Sequence, residues 1–104
     1  MELETAVRFR APFTCVIGND GSWGQIRNPQ LSVGGEARAV ATSLPSTRYD
    51  LMVEALGGRG ALVTDPKDLG PALERALASD EVWCINCLLD PAAYRRTGQV
   101  SMAI

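Results

Sequence analysis

The stretch Cys15-Val16-Ile17-Gly18-Asn19-Asp20-Gly21-Ser22-Trp23-Gly24-Gln25 decides how the rest of the chain is read. An apolar run stops at Asn-Asp-Gly-Ser, and an aromatic residue and a glycine follow. In an α/β protein that is a strand running into a polar loop at its carboxyl end, where such sheets hold ligands. The flanking segments should then supply more strands and the helices that cover them.

Upstream, Leu3, Ala6 and Val7 fall at i, i+3 and i+4, so Met1 to Arg10 reads as a helix. Glu4 and Arg8 make a favourable i,i+4 pair on it. Ala11-Pro12 is a break, and Phe13 to Ile17 is the strand, expected to be buried. Downstream, Trp23 to Gln30 reads as a short helix or turn. Leu31 to Thr47 is rich in Gly, Ser, Ala and Thr, has no clear period, and reads as a long loop.

Thr47-Arg48-Tyr49-Asp50 fits a capping box, with Thr47 as cap. Tyr49, Met52, Val53 and Leu56 then form the best helical stripe in the chain. Gly57-Gly58 stops that helix, and Ala61-Leu62-Val63 is a short strand. Asp65-Pro66 opens the next helix, whose buried face is Leu69, Ala72, Leu73, Ala76 and Leu77. Pro71 is awkward inside it. Val82 to Leu89 is a continuous apolar run, a central strand closed by Asp90-Pro91.

The order α-β-loop-α-β-α-β predicts an α/β fold, a three-layer parallel sheet with helices on both faces. The domain is expected over residues 1–91, with a tail over 92–104. Three strands make a small sheet, and its edges need a partner or a cover.

Composition narrows the chemistry. A net charge of −2 with scattered basic residues argues against nucleic acid. The chain has no histidine, which removes His-based triads, His bases and His-ligated metals. No apolar run approaches a membrane span, and the acidic start lacks a signal peptide's pattern, so a cytoplasmic location is expected. Three cysteines without an extracellular cue read as reduced thiols.

Most local motifs read as structure. Cys84-Ile85-Asn86-Cys87 has Cys-x-x-Cys spacing, but residues three apart on a strand point to opposite faces. Both thiols, and Cys15 likewise, are expected to be buried and inert. Gly57-Gly58-Arg59-Gly60 lacks the Lys-Ser/Thr of a phosphate loop and follows a helix, so it is a cap and turn. Trp83 reads as core, and Arg95-Arg96 as a solvated pair on the tail. Asn19-Asp20-Gly21-Ser22 differs, because it gathers hard oxygen donors suited to Mg²⁺ at a strand end. A plain Asn-Asp-Gly turn fits the same residues, and their types alone leave both readings open.

Several motifs recur in the order of a known family. They include Glu2-Leu3-x-Thr5-Ala6, Pro12, Asn19-Asp20-Gly21-Ser22-Trp23-Gly24 and Arg48-Tyr49-Asp50. Glu54-Ala55-Leu56-Gly57-Gly58, Val63-Thr64-Asp65-Pro66 and Pro71-Ala72-Leu73-Glu74-Arg75-Ala76 follow, then the last strand. Over nearly its whole length the chain resembles the C-terminal, pyrophosphate-binding domain of thiamine-diphosphate enzymes. It is most similar to the acetolactate synthase, benzaldehyde lyase and 2-hydroxyacyl-CoA lyase branch.

The resemblance implies thiamine diphosphate and Mg²⁺ as cofactors. The family's motif begins with Gly-Asp-Gly and ends with paired asparagines. Aligned without a gap, Asn19 stands on the first Asn and Asp20 on the second. The implied metal ligands are the Asp20 side chain and the Ser22 carbonyl. Asn19, Gly21, Ser22, Trp23 and Gly24 would surround the cofactor. A shift by one residue would give Asn19 and Gly21 the ligand roles instead. Asp20 departs from the commoner Asn and adds negative charge beside a diphosphate.

The Gly-Asp-Gly half and the cofactor-activating glutamate of a partner domain match nothing in these residues. The resemblance therefore implies a C-terminal fragment of an enzyme that makes or breaks C–C bonds next to a carbonyl. Its substrate would be a 2-keto acid or 2-hydroxyacyl compound. A missing N-terminal part or second subunit, and a homo-oligomer, are expected. No catalytic residue is assigned in this chain, and alone it is expected to be inactive. The competing expectation is a non-catalytic remnant or oligomerisation module of the same fold.

Overall fold

The computed structural model describes residues 2–93. The described residues divide into two compact units, residues 2–19 with 47–88, and residues 20–46 with 89–93.

The first unit is built on a parallel sheet of three strands, β1 (Thr14–Asn19), β2 (Arg59–Val63) and β3 (Trp83–Leu88), in the order β1-β3-β2. The apolar run at the end of the chain is therefore the central strand, as its sequence predicts. Cys15 stands beside Cys84 and Ile17 beside Asn86, while Val63 stands beside Cys87 on the other flank.

Alternation along β3 then feeds two separate cores. Ile85 and Cys87 pack with Val63 against Ala72 and Ala76 of one helix, α4 (Leu69–Leu77). Cys84 packs with Val82 and Ile17 against Leu3, Ala6 and Val7 of α1 (Glu2–Arg8), and against Tyr49 and Val53 of α3 (Tyr49–Ala55). The sheet thus carries helices on both faces, the predicted α/β architecture. Arg8 Nε donates to Glu4 Oε1 at 3.0 Å, the expected pair on α1.

Several local expectations are corrected. Strand β1 extends through Gly18 and Asn19, and it is not a buried strand: Val16 is 49% exposed. It lies at a sheet edge, and α4 packs on β2 and β3. Residues 47–50 form no capping box. Helix α3 starts after Arg48 without a side-chain cap, because the Asp50 carboxylate is taken by Arg48 and Asn86. Asp65 accepts from the Lys67 N–H at 3.1 Å, but the turn it caps is a 3₁₀ turn, Pro66–Asp68. Pro71 consequently falls in the first turn of α4, where its missing N–H costs nothing. Leu77, expected on the buried face, is exposed at the last position of that helix.

The glycines after α3 serve the turn. Gly57 has φ +93°, and a Cβ on Gly60 would lie 2.5 Å from the Asp50 carbonyl oxygen. Cys84 and Cys87 are free, buried and on opposite faces, and desolvation pushes the Cys84 thiol up to about 11. Cys15 is half-buried rather than buried. Trp83 packs against the α4-side core, its Nε1–H donating to Ser79 Oγ at 2.6 Å.

In the second unit, helix α2 runs Gly24–Gly34, and a 3₁₀ turn follows at Glu36–Arg38. The expected loop from Leu31 is thus helical in its first part. None of the residues of α2 is buried, so no core face imprints a period on the sequence, and Pro29 lies inside it. The expected tail over 92–104, with Arg95 and Arg96, lies outside the described residues except for Ala92 and Ala93. Among the described residues no helix is long and apolar enough to cross a membrane.

Candidate functional site

In the first unit, the carboxyl end of β1 is tied into the sheet by side chains. Asn19, only 9% exposed, donates through Nδ2 to the Thr47 carbonyl at 3.0 Å and to Asn86 Oδ1 at 3.2 Å. Asn86, 0% exposed in the middle of β3, donates through Nδ2 to the same Thr47 carbonyl and to Asp50 Oδ1, each at 3.1 Å. Asp50 also accepts from Arg48, whose Nε lies 3.0 Å from its Oδ1. The Asn86 amide can stand only one way round. Reversed, its oxygen would face a carboxylate and a carbonyl, both acceptors.

The Arg48 guanidinium holds the Asp50 carboxyl below its ordinary range, and the Asn86 amide adds to this against the opposing effect of burial. That sets a pH dependence. The stability Asp50 contributes is complete above the unfolded carboxylate pKa of about 3.9 and is lost as pH falls through the lower folded value. Asp50→Asn should therefore show a flatter acid limb than the native chain in urea midpoints measured from pH 6 down to pH 2. An unchanged acid limb would remove Asp50 as its source.

In the second unit, the loop opening at Asp20 is organised around that carboxylate. Asp20 Oδ1 accepts from the Ser22 N–H and Oδ2 from the Ser22 hydroxyl, both at 2.9 Å. Two of the carboxylate's roughly four acceptor positions are thus in use. A Cβ on Gly24, the first residue of α2, would sit 2.6 Å from Asp20 Oδ2. Only glycine leaves that oxygen its place.

Gly21 has φ +62°, and its carbonyl accepts from the Leu44 N–H at 2.8 Å. The Trp23 N–H donates to the Thr42 carbonyl at 2.8 Å, so Ser22 and Ser43 face each other across an isolated bridge. Among the described hydrogen bonds the Ser22 carbonyl accepts none. Trp23 precedes α2 and is 59% exposed.

Comparison with known proteins identifies the family. The family model for the thiamine pyrophosphate enzyme C-terminal TPP binding domain matches residues 1–87. The chain belongs to this family. The TPP-binding domain is 45% identical over 102 residues to an acetolactate synthase large subunit of Mycobacterium tuberculosis, covering 97% of this chain and 18% of that protein. It is 32% identical to a 2-hydroxyacyl-CoA lyase of Oryza sativa subsp. japonica, covering 96% of this chain and 18% of that protein. It is 34% identical to an oxalyl-CoA decarboxylase of Escherichia coli, covering 97% of this chain and 18% of that protein. The chain therefore spans about a fifth of the length of these relatives. Membership of the TPP-binding family implies thiamine diphosphate as the cofactor.

The sequence-predicted residues fall into two groups. Asp20, Gly21, Ser22, Trp23 and Gly24 lie together in the loop and first turn of the second unit, whereas Asn19 ends β1 with its side chain turned into the first unit. Sequence reasoning missed Asn86. The signal was an amide inside an otherwise apolar strand, since a buried amide must find partners.

Proposed function

We propose that the loop Asp20–Gly24 holds Mg²⁺ and the diphosphate of thiamine diphosphate, with the Asp20 carboxylate and the Ser22 carbonyl as metal ligands. The observation that carries this reading is the Asp20 carboxylate itself. It is anchored by Ser22 just before α2, beside Gly24, where a Cβ would displace its Oδ2. The donor set suits the ion. Mg²⁺ takes one or two protein oxygens together with phosphates, in place of an all-protein cage. Among the described residues no three His, Cys, Asp or Glu side chains converge on a metal site.

The alternative pair, Asn19 and Gly21, is less well supported. The Gly21 carbonyl is already engaged by Leu44, and the Asn19 amide by Thr47 and Asn86. The start of α2 offers further backbone N–H groups to a diphosphate, and Gly24 lets a phosphate oxygen approach. Trp23, exposed beside them, would line the cofactor pocket or a subunit interface.

In the whole enzyme the bound cofactor supplies an electron sink for making or breaking a C–C bond next to a carbonyl. This chain's part is to hold and orient the diphosphate end. The substrate class is a 2-keto acid or 2-hydroxyacyl compound, and the remaining groups come from an N-terminal part or second subunit of a homo-oligomer. A second reading, a non-catalytic module that associates through its sheet, draws on the exposure of Val16 in β1 and of Phe13 just before it.

Calorimetric titration with Mg²⁺ and thiamine diphosphate tests the first reading. The native chain should bind the pair, and absence of heat would overturn the cofactor site and leave the second reading. Gly24→Ala should bind roughly tenfold more weakly with an unchanged melting temperature, because its methyl group displaces the ligating carboxylate rather than a core side chain. Native affinity in that variant would exclude Asp20 Oδ2 as a ligand.

A further inference from the structure

We propose that Asn86 is a positioning residue for the cofactor loop: it fixes the side chain of Asn19 and so the point from which the chain enters Asp20. This rests on the reading of the loop given above.

Among the described residues strand β1 is bonded to the sheet on one flank, through β3, and Asn19 is its last rung, opposite Leu88. A strand end held from one side frays easily. Here the end is held a second time, by its side chain. Asn19 Nδ2 reaches both Asn86 Oδ1 and the Thr47 carbonyl, and Asn86 Nδ2 reaches the same carbonyl. Three segments distant in sequence thus meet on one peptide oxygen and one amide.

The cost of this arrangement points to a purpose beyond stability. Asn19, Asp50 and Asn86 are all buried on the face of the sheet where Cys84 and Ile17 pack with apolar helix residues. An apolar side chain at position 86 would cover that face without polar desolvation. What the polar set adds is direction. Asn86 accepts at one atom and donates at the other, so only a donor at Asn19 satisfies it, in one orientation. The next peptide bond leads into the residue whose carboxylate must stand correctly for a metal and a diphosphate. Sites of that kind depend on a supporting shell accurate to a fraction of an ångström.

The test compares the native chain with Asn86→Ala, Asn19→Ala, the double variant, and Val53→Ala as a control. Val53 is buried in the same face but is a core side chain without a polar group. Mn²⁺ alone is the metal probe, its free fraction read by electron paramagnetic resonance. Amide exchange at Asp20 and Gly21 is followed in the same proteins without metal, and melting temperatures are recorded throughout.

Asn86→Ala and Asn19→Ala should each weaken Mn²⁺ binding by roughly tenfold or more, the range found when groups that orient ligands are removed. The double variant should be no weaker than either single one. Val53→Ala should lose melting temperature but keep its Mn²⁺ affinity. If Asn86→Ala binds Mn²⁺ as Val53→Ala does, the positioning role is overturned. If Asn86→Ala does not fold, Asn19→Ala, altered only at the sheet edge, carries the same comparison.

If the native chain binds no Mn²⁺, the metal reading of the loop fails separately, and amide exchange decides the positioning. Faster exchange at Asp20 and Gly21 in Asn86→Ala than in Val53→Ala supports it, and equal exchange overturns it.

Discussion

Ile85→Ala is expected to destabilise the sheet unit by about 2–5 kcal/mol, the range for deleting a fully buried aliphatic side chain. Ile85 is 0% exposed at the centre of β3, and it packs with Val63, Cys87, Ala72 and Ala76. The two alanines of α4 are already at their smallest useful size, so they bring the helix close but cannot grow into the space left behind. The cost should therefore include a cavity term as well as the lost transfer free energy. A domain of this size has only about 5–15 kcal/mol in total, so the variant should melt early or fail to fold. Urea unfolding at neutral pH would register this as a lower midpoint at constant slope. A loss below about 1 kcal/mol would mean that the site collapses, and that α4 is less firmly seated than its contacts imply.

Asp20→Ala is expected to abolish binding of Mg²⁺ with thiamine diphosphate while leaving the sheet unit folded. The carboxylate lies in the loop unit, and its described hydrogen bonds run to Ser22. Removing it releases no core contact and takes away the one charged oxygen donor of the proposed pair. Asp20→Asn separates charge from geometry. It keeps an oxygen donor but removes a negative charge that stands against the diphosphate. It should bind Mg²⁺ alone more weakly than the native chain, yet retain the Mg²⁺–cofactor complex. Calorimetry with metal alone, and then with both, distinguishes these outcomes. Native-like binding by Asp20→Ala would eliminate Asp20 as a ligand.

The sequence disclosed what depends on periodicity and local stops. The stripe Tyr49, Met52, Val53, Leu56 placed α3, and the apolar run at Val82 to Leu89 identified the central strand. The spacing of Cys84 and Cys87 placed them on opposite faces, where each joins a different core. What was hidden depends on partners far along the chain. Asp50 has the right offset to complete a capping box, but an arginine two residues before it and an amide 36 residues after it compete for its oxygens and win. Helix α2 was under-read because an exposed helix needs no apolar face, and its proline masked the rest.

The loop itself was legible as a cluster of oxygen donors following a strand. Which carbonyl remains available was not, because that depends on Leu44 pairing with Gly21 more than twenty residues away. The openness of β1 was anticipated only as a general problem of small sheets. Its particular form, a bare Val16, follows from where α4 packs.

The amide of Asn86 also bears on how this sequence can change over evolutionary time. Its two ends have opposite polarity, and each is matched by a different residue: an acceptor at Asp50 and a donor at Asn19. A carboxylate at 86 would face the carboxylate at 50, and a reversed pattern at 19 would face an oxygen at 86. A change that removes the polar group at one of them leaves a buried polar atom of another without that partner, at a cost of about 1–3 kcal/mol. The three lie 31 and 36 residues apart, counted as 50 − 19 and 86 − 50, so a substitution at one changes which substitutions its neighbours tolerate.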